Sequence, residues 1–178
     1  MDVSIPNGNE KEIMEMAKLL GTKEMCLLYS AGKKAILPEL LGIKSVKAVI
    51  ANSGEMAFIR EADLEQNLSR NFLAIMPDLR YPYKNLQSIN LKRIKGNPAL
   101  CIPFSLFLQS QNSAVVWQAA KRMISLWRKA KRPFILGSFA SNPYELRNMS
   151  DLESFYRVLG LRTNEVRTGF DHLSEHLS

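Results

Sequence analysis

Short apolar runs that alternate with helical patterns constrain this chain more than any other feature. Residues 25–29, 46–51, 71–76, 99–106 and 134–136 are such runs. They are too short for typical helices and too continuous for strands with one wet face, so they predict strands buried on both sides. That is the condition of a parallel sheet. With residues 2–5 as a short first strand ended by Pro6-Asn7-Gly8, strand and helix alternate about six times. A complete eight-unit barrel usually takes about 250 residues, and this chain has 178. The expectation is a small or irregular TIM-barrel-like α/β fold in one domain, residues 1–178. An open doubly wound sheet is the alternative.

Between the strands, Asn9 is placed to cap a helix over 10–20 that Gly21 stops, with Ile13, Met16, Ala17 and Leu20 at helical spacing. A short helix is predicted over 33–41 despite Pro38, and Asn52-Ser53-Gly54 marks a turn. Residues 57–66 fit a helix, or a strand followed by a helical turn. Pro77-Asp78 closes the strand before it, 79–85 reads as loop, and 86–95 reads as a basic helix ended by Gly96-Asn97-Pro98. The best helix spans 113–129, with Val116, Ala119, Ala120, Met123, Ile124 and Trp127 as an apolar stripe. Ser150 or Asp151 would cap a helix reaching Leu159 and Gly160. A last helix over 164–177 would break at Gly169.

Charge bears on the partner. The chain has 24 Lys+Arg against 17 Asp+Glu, a formal charge of +7. That surplus points to a polyanion, nucleic acid first and a membrane surface second. Cys26 and Cys101 sit in the apolar runs KEMCLLY and ALCIPF and read as reduced core thiols of a cytoplasmic protein rather than a disulfide. No CxxC pair is present, which excludes a zinc ribbon or a thioredoxin-like site. The acidic, polar start MDVSIPNGNEKE is no signal peptide, and no apolar run is long enough to span a bilayer.

Residues at the predicted strand ends argue against catalysis. They are Ser4, Tyr29, Asn52, Asp78, Ser105 and Ser138. A barrel metallohydrolase needs His, Asp or Glu at several of these positions. No GxGxxG, P-loop or GxSxG occurs, and neither Asp2 nor Asp78 has a visible carboxylate partner for acid/base work. His172 and His176, beside Asp171 and Glu175, are read as an exposed polar face, because spacing alone is a weak metal signal.

What remains is basic. Lys92, Arg93 and Lys95 form one cluster, and Lys121, Arg122, Arg128, Lys129, Lys131 and Arg132 form another. Arg162 and Arg167 follow near the end. Arg147 stands apart. In PFILGSFASNPYELRNMSDLESFYRVLGL it follows a strand and a small-residue loop and precedes a helix amino terminus, a place that favours anions. Its planar fork suits phosphate. Tyr81, Tyr83 and Tyr144 are either base-stacking platforms or half-buried loop anchors.

The order of motifs from Ala99 onward resembles the archaeal and eukaryotic ribonuclease P protein component 3 family. The matching pieces are ALCIPFSLFL, a long helix ending SLWRKAKR, PFILGSFAS, and YELRNMSDLESFYRVLGL with its acidic-aliphatic-Arg step. The start, DVSIP and the helix after it, fits more loosely, and 52–95 aligns poorly. The resemblance implies a TIM-barrel-like protein that is no nuclease itself. It would bind the RNA of ribonuclease P with protein component 2, often as a heterotetramer, alongside the other subunits. The complex removes the 5′ leader of precursor tRNA with magnesium held by the RNA, and no cofactor or metal is implied in the protein. Arg147 matches the family's arginine, and Ser138 and Ser141 match its hydroxyl-rich loop roughly. RNA-binding candidates are therefore Arg147, Lys92, Arg93, Lys121, Arg122, Arg128 and Ser138. The chain departs from the family at Phe107 and Ser125, where many members are basic, and at Ser88-Ile89-Asn90. The alternative function is a small barrel enzyme that holds a phosphorylated metabolite with Arg147 and the 137–141 loop.

Overall fold

A computed structural model describes residues 1–30, 43–50, 57–77, 91–110 and 113–177. Among the described residues, seven strands form one parallel sheet in the order of the sequence: β1 (Asp2–Ser4), β2 (Glu24–Ser30), β3 (Lys44–Ile50), β4 (Ala57–Arg60), β5 (Ala74–Met76), β6 (Ala99–Pro103) and β7 (Phe134–Gly137). No strand order reverses, so the doubly wound alternative does not hold. β1 and the segment after β7 meet through a single parallel bridge, Ser4 to Ala140, and the Ile5 N–H donates to Ala140 O at 2.8 Å. The sheet is thus TIM-barrel-like, with one seam that lacks a continuous ladder.

The strand periodicity sorts side chains to two sides. Val3, Cys26, Leu28, Ala48, Phe58, Ala74, Ala99, Cys101 and Ile135 come from all seven strands and pack together as the interior. Many are small, as the narrow interior of a strongly curved sheet requires. The alternate residues face helices. Met25, Leu27 and Tyr29 pack on α1 (Glu10–Leu19). Leu100, Ile102, Phe134 and Leu136 pack on α3 (Ser113–Lys129), α4 (Met149–Leu159) and α5 (Thr163–Leu177). All six stripe residues of α3 are buried, each larger one contributing about 1.5–3 kcal/mol.

Several local expectations change. Residues 57–66 take the strand form, β4, followed by 3-10 turns at Glu61–Asp63 and Glu65–Asn67. That gives the seventh strand. The run over 99–106 leaves the sheet at Pro103 and turns into the short helix α2 (Ser105–Gln109). Of the basic helix over 86–95, the described part forms only the 3-10 turn Leu91–Arg93. The α4 cap is Asn148, whose side-chain oxygen accepts the Asp151 N–H at 2.9 Å, rather than Ser150 or Asp151. Gly169 does not break α5. A Cβ there would stand 2.7 Å from Leu136 Cγ, so the missing side chain lets the helix approach β7. Both cysteines are free and buried, and burial pushes the Cys26 thiol up to about 12. The helix over 33–41, the Asn52-Ser53-Gly54 turn, Asp78 and the 79–85 loop lie outside the described residues.

Candidate nucleic-acid interface

The carboxyl ends of the strands hold the loop that carries Arg147. A cavity of about 310 Å³ opens there, walled by Ile5, Met76, Pro103 and Phe139, with Arg60 and Glu61 on one side. Next to it Glu145 is buried and organises the loop after β7. Its carboxylate accepts from Gln109 Nε2 at 2.6 Å, the Ser141 N–H at 2.7 Å and the Ser141 hydroxyl at 3.0 Å. Burial alone would raise its pKa, but these bonds hold it below the ordinary value, so it is ionised at neutral pH.

Arg147 turns back on this loop. Its Nη1 donates to Tyr144 O at 2.8 Å and Leu146 O at 2.6 Å, and the guanidinium lies 5.4 Å from the Phe104 ring. Ser138 is fully buried. Its N–H donates to Asp2, and its hydroxyl accepts the Arg147 N–H at 3.3 Å. Part of the anticipated phosphate grip, Nη1 of Arg147 and the Ser138 hydroxyl, is therefore engaged within the chain. Arg147 clamps carbonyls, Ser138 presents no surface, and the α4 amino terminus is capped by Asn148 and followed by Asp151. Tyr144, in contrast, is no half-buried anchor: it is 83% exposed. Tyr81 and Tyr83 lie outside the described residues.

The other candidates gather elsewhere. α3 ends where β7 begins, and the Leu91–Arg93 turn precedes β6, so both lie at the amino ends of the strands. Arg132 joins them, its Nη2 donating to Leu91 O at 2.9 Å and Ile94 O at 3.2 Å. Two basic clusters far apart in sequence thus become neighbours. Arg93, Lys95, Lys129 and Lys131 are exposed at this end, and Lys92 is the middle residue of the turn. Lys121 and Arg122 are exposed further up α3, the Lys121 ammonium 5.6 Å from the Trp117 ring.

Arg128 is committed to the fold. Its Nε and Nη2 each lie 2.6 Å from a Glu165 oxygen, and Nη2 also donates to Gly160 O at 2.9 Å. This fork ties α3 to the start of α5. The bond to Arg128 holds the Glu165 carboxyl below its ordinary value.

Sequence reasoning missed Glu145, Gln109, Arg60 and Glu61 at the mouth, and the bridging part played by Arg132. Glu145 had a visible signal, as the acid of the acidic-aliphatic-Arg step. The others had none, because their significance comes from contacts between distant segments. Phe107, one of the departures noted from the sequence, packs edge-to-face with Trp117 and Phe155 at ring separations of 5.8 and 4.9 Å.

No protein-family model matches the sequence, and no curated protein sequence matches it. The fold is similar to that of a chain in a solved structure described as the cryo-EM structure of archaeal ribonuclease P with mature tRNA. The TM-score is 0.67 at 13% identity, covering 97% of this chain and 88% of that chain. At that identity the likeness is one of fold. No helix among the described residues is long and apolar enough to cross a membrane.

Proposed function

We propose that this chain is an RNA-binding, non-catalytic subunit of a cytoplasmic ribonuclease P. The observation that carries the proposal is the fold it shares, over 97% of its length, with a chain of an archaeal ribonuclease P structure. The charge of +7 supports an RNA partner. The cluster of Arg93, Lys95, Lys129 and Lys131 supplies exposed cations on one end of the molecule. In this reading RNA phosphates meet that end and the exposed face of α3 with Lys121 and Arg122, while Arg147 holds the opposite loop in shape. A homologue of protein component 2, the other subunits and precursor tRNA complete the assembly, and the magnesium of the cut belongs to the RNA.

An enzyme for a phosphorylated metabolite is less well supported. The mouth cavity is mainly apolar, and the ionised carboxylate of Glu145 beside it disfavours a phosphate.

The test is purification of the untagged protein's complexes from its own cells, with sequencing of bound RNA. Expected are enrichment of one structured RNA and specific removal of the 5′ leader from precursor tRNA by the isolated complex. Recovery of the protein at low salt with no RNA would overturn the proposal.

A further inference from the structure

Three groups on α5, none of them among the proposed RNA contacts, converge near the end of the helix. His172, Glu175 and His176 occupy positions i, i+3 and i+4, which an α-helix brings to one face. One ligand atom from each lies within 4.8 Å of the others. The two imidazole rings are 4.4 Å apart between centroids. His172 is half-buried, whereas Glu175 and His176 are exposed and able to adjust.

A second observation concerns orientation. His176 Nδ1 lies 2.8 Å from the His172 carbonyl oxygen. With the proton on Nδ1 this contact is a donated hydrogen bond, and the lone pair is left on Nε2. Imidazoles that bind metals are commonly oriented in this way by a main-chain carbonyl.

We propose that His172, Glu175 and His176 form a binding site for a divalent transition-metal ion of the zinc class. Two imidazoles and one carboxylate are a ligand set that zinc accepts, with a fourth position left to water. Zinc-to-ligand bonds of about 2.0–2.2 Å place tetrahedral ligands roughly 3.3 Å apart. The ligand atoms now lie within 4.8 Å of one another, and an inward turn of the exposed Glu175 side chain would shorten that spacing with His176 kept on the His172 carbonyl. Magnesium prefers oxygen ligands in an octahedron and is rejected by the same set. These histidines, expected from the sequence as an exposed polar face in a protein with no metal of its own, would then hold one.

The site lies near the end of α5, where the Ser174 hydroxyl is 3.5 Å from Glu24 Oε2 at the start of β2. A bound ion would link neighbouring positions of the last turns and oppose their fraying. The free thiols of Cys26 and Cys101 are buried and do not compete in the folded state.

The test uses the full chain without a histidine tag. Zinc is titrated by calorimetry near neutral pH, and cobalt is followed by its visible absorption. The expected result is one saturable zinc equivalent, a raised melting temperature, a cobalt spectrum, and no response to magnesium at equal concentration. His172→Ala and His176→Ala should each weaken zinc binding about tenfold or more, and Glu175→Gln less. His176 is exposed, so its variant keeps the fold, as circular dichroism would check. Absence of saturable zinc binding, or zinc affinity within about twofold of the parent in both histidine variants, overturns the assignment.

Discussion

Asp2 Oδ1 accepts the backbone N–H of Ser138 at 2.6 Å, joining two residues 136 positions apart. The same oxygen accepts the Val3 N–H at 2.8 Å. This is the seam of the sheet, where side chains take the place of ladder bonds. Ser4 adds to it, its hydroxyl donating to Ala140 O at 2.9 Å. A Cβ on Gly137 would fall 2.9 Å from Asp2 Oδ1 and 3.2 Å from the Val3 nitrogen, so only glycine lets β1 come this close. The second oxygen, Oδ2, is buried with no hydrogen-bond partner among the described residues.

That buried carboxyl should give the protein a distinctive pH response. Burial raises the Asp2 pKa above 3.8, against the lowering effect of the Ser138 and Val3 bonds. For an acid with a raised folded pKa, the folded state keeps its proton longer than the unfolded chain. The stabilisation is full below the unfolded value and is lost as pH rises through the folded one. Urea midpoints of the parent and of Asp2→Asn, measured across acidic to neutral pH, should therefore diverge. The parent should lose stability relative to the variant as pH climbs above about 4. Parallel curves would mean that Asp2 does not titrate as its burial requires.

The Arg128 fork predicts a cost in stability and a small one in RNA binding. Removing it takes away a bidentate pair to Glu165 and a bond to Gly160 O. The Arg128 side chain is 31% exposed, which discounts the pair. Arg128→Ala should cost about 1–2 kcal/mol by denaturant unfolding at neutral pH. The Glu165 pKa is depressed below 4.5, so this contribution is present above that value and fades as pH falls through the folded pKa. The gap between parent and variant should narrow in acid.

Charge reversal at the amino end tests where RNA sits. Arg93→Glu and Lys129→Glu should each weaken binding of a structured RNA and reduce the salt slope of log K by about 1. Lys11→Glu, on the exposed face of α1, should leave both unchanged. Filter binding across a salt series measures this. A larger fall with Arg147→Ala than with Lys129→Glu would move the RNA contact to the mouth of the sheet.

Packing of α5 on β7 gives the clearest steric prediction. Gly169→Ala should destabilise by about 1–3 kcal/mol through overpacking, despite alanine's better helix propensity. The added methyl would meet Leu136 Cγ at 2.7 Å and Cδ1 at 2.9 Å, and Leu136 is fully buried. Thermal unfolding would show the loss. An unchanged or raised midpoint would mean that the helix shifts without penalty.

The sequence by itself determined the layered α/β plan, because that plan is written in local periodicity. The apolar stripe of α3 predicts a helix over 113–129, the span it has, and the short apolar runs predict parallel strands. Terminal residues were less legible: Pro103 ends β6 early and Asn148 caps α4, since choices among neighbouring caps and breaks depend on what packs outside the helix. The tertiary structure alone decided that Asp2 would close the seam, that Gly169 would be a contact rather than a break, and that Arg132 would draw two basic clusters together. It also decided that Ser138 would be buried and Arg147 folded onto its own loop. The physical reason is range. Periodicity and propensity act over a few residues, whereas these contacts link segments many residues apart that the curvature of a parallel sheet brings together.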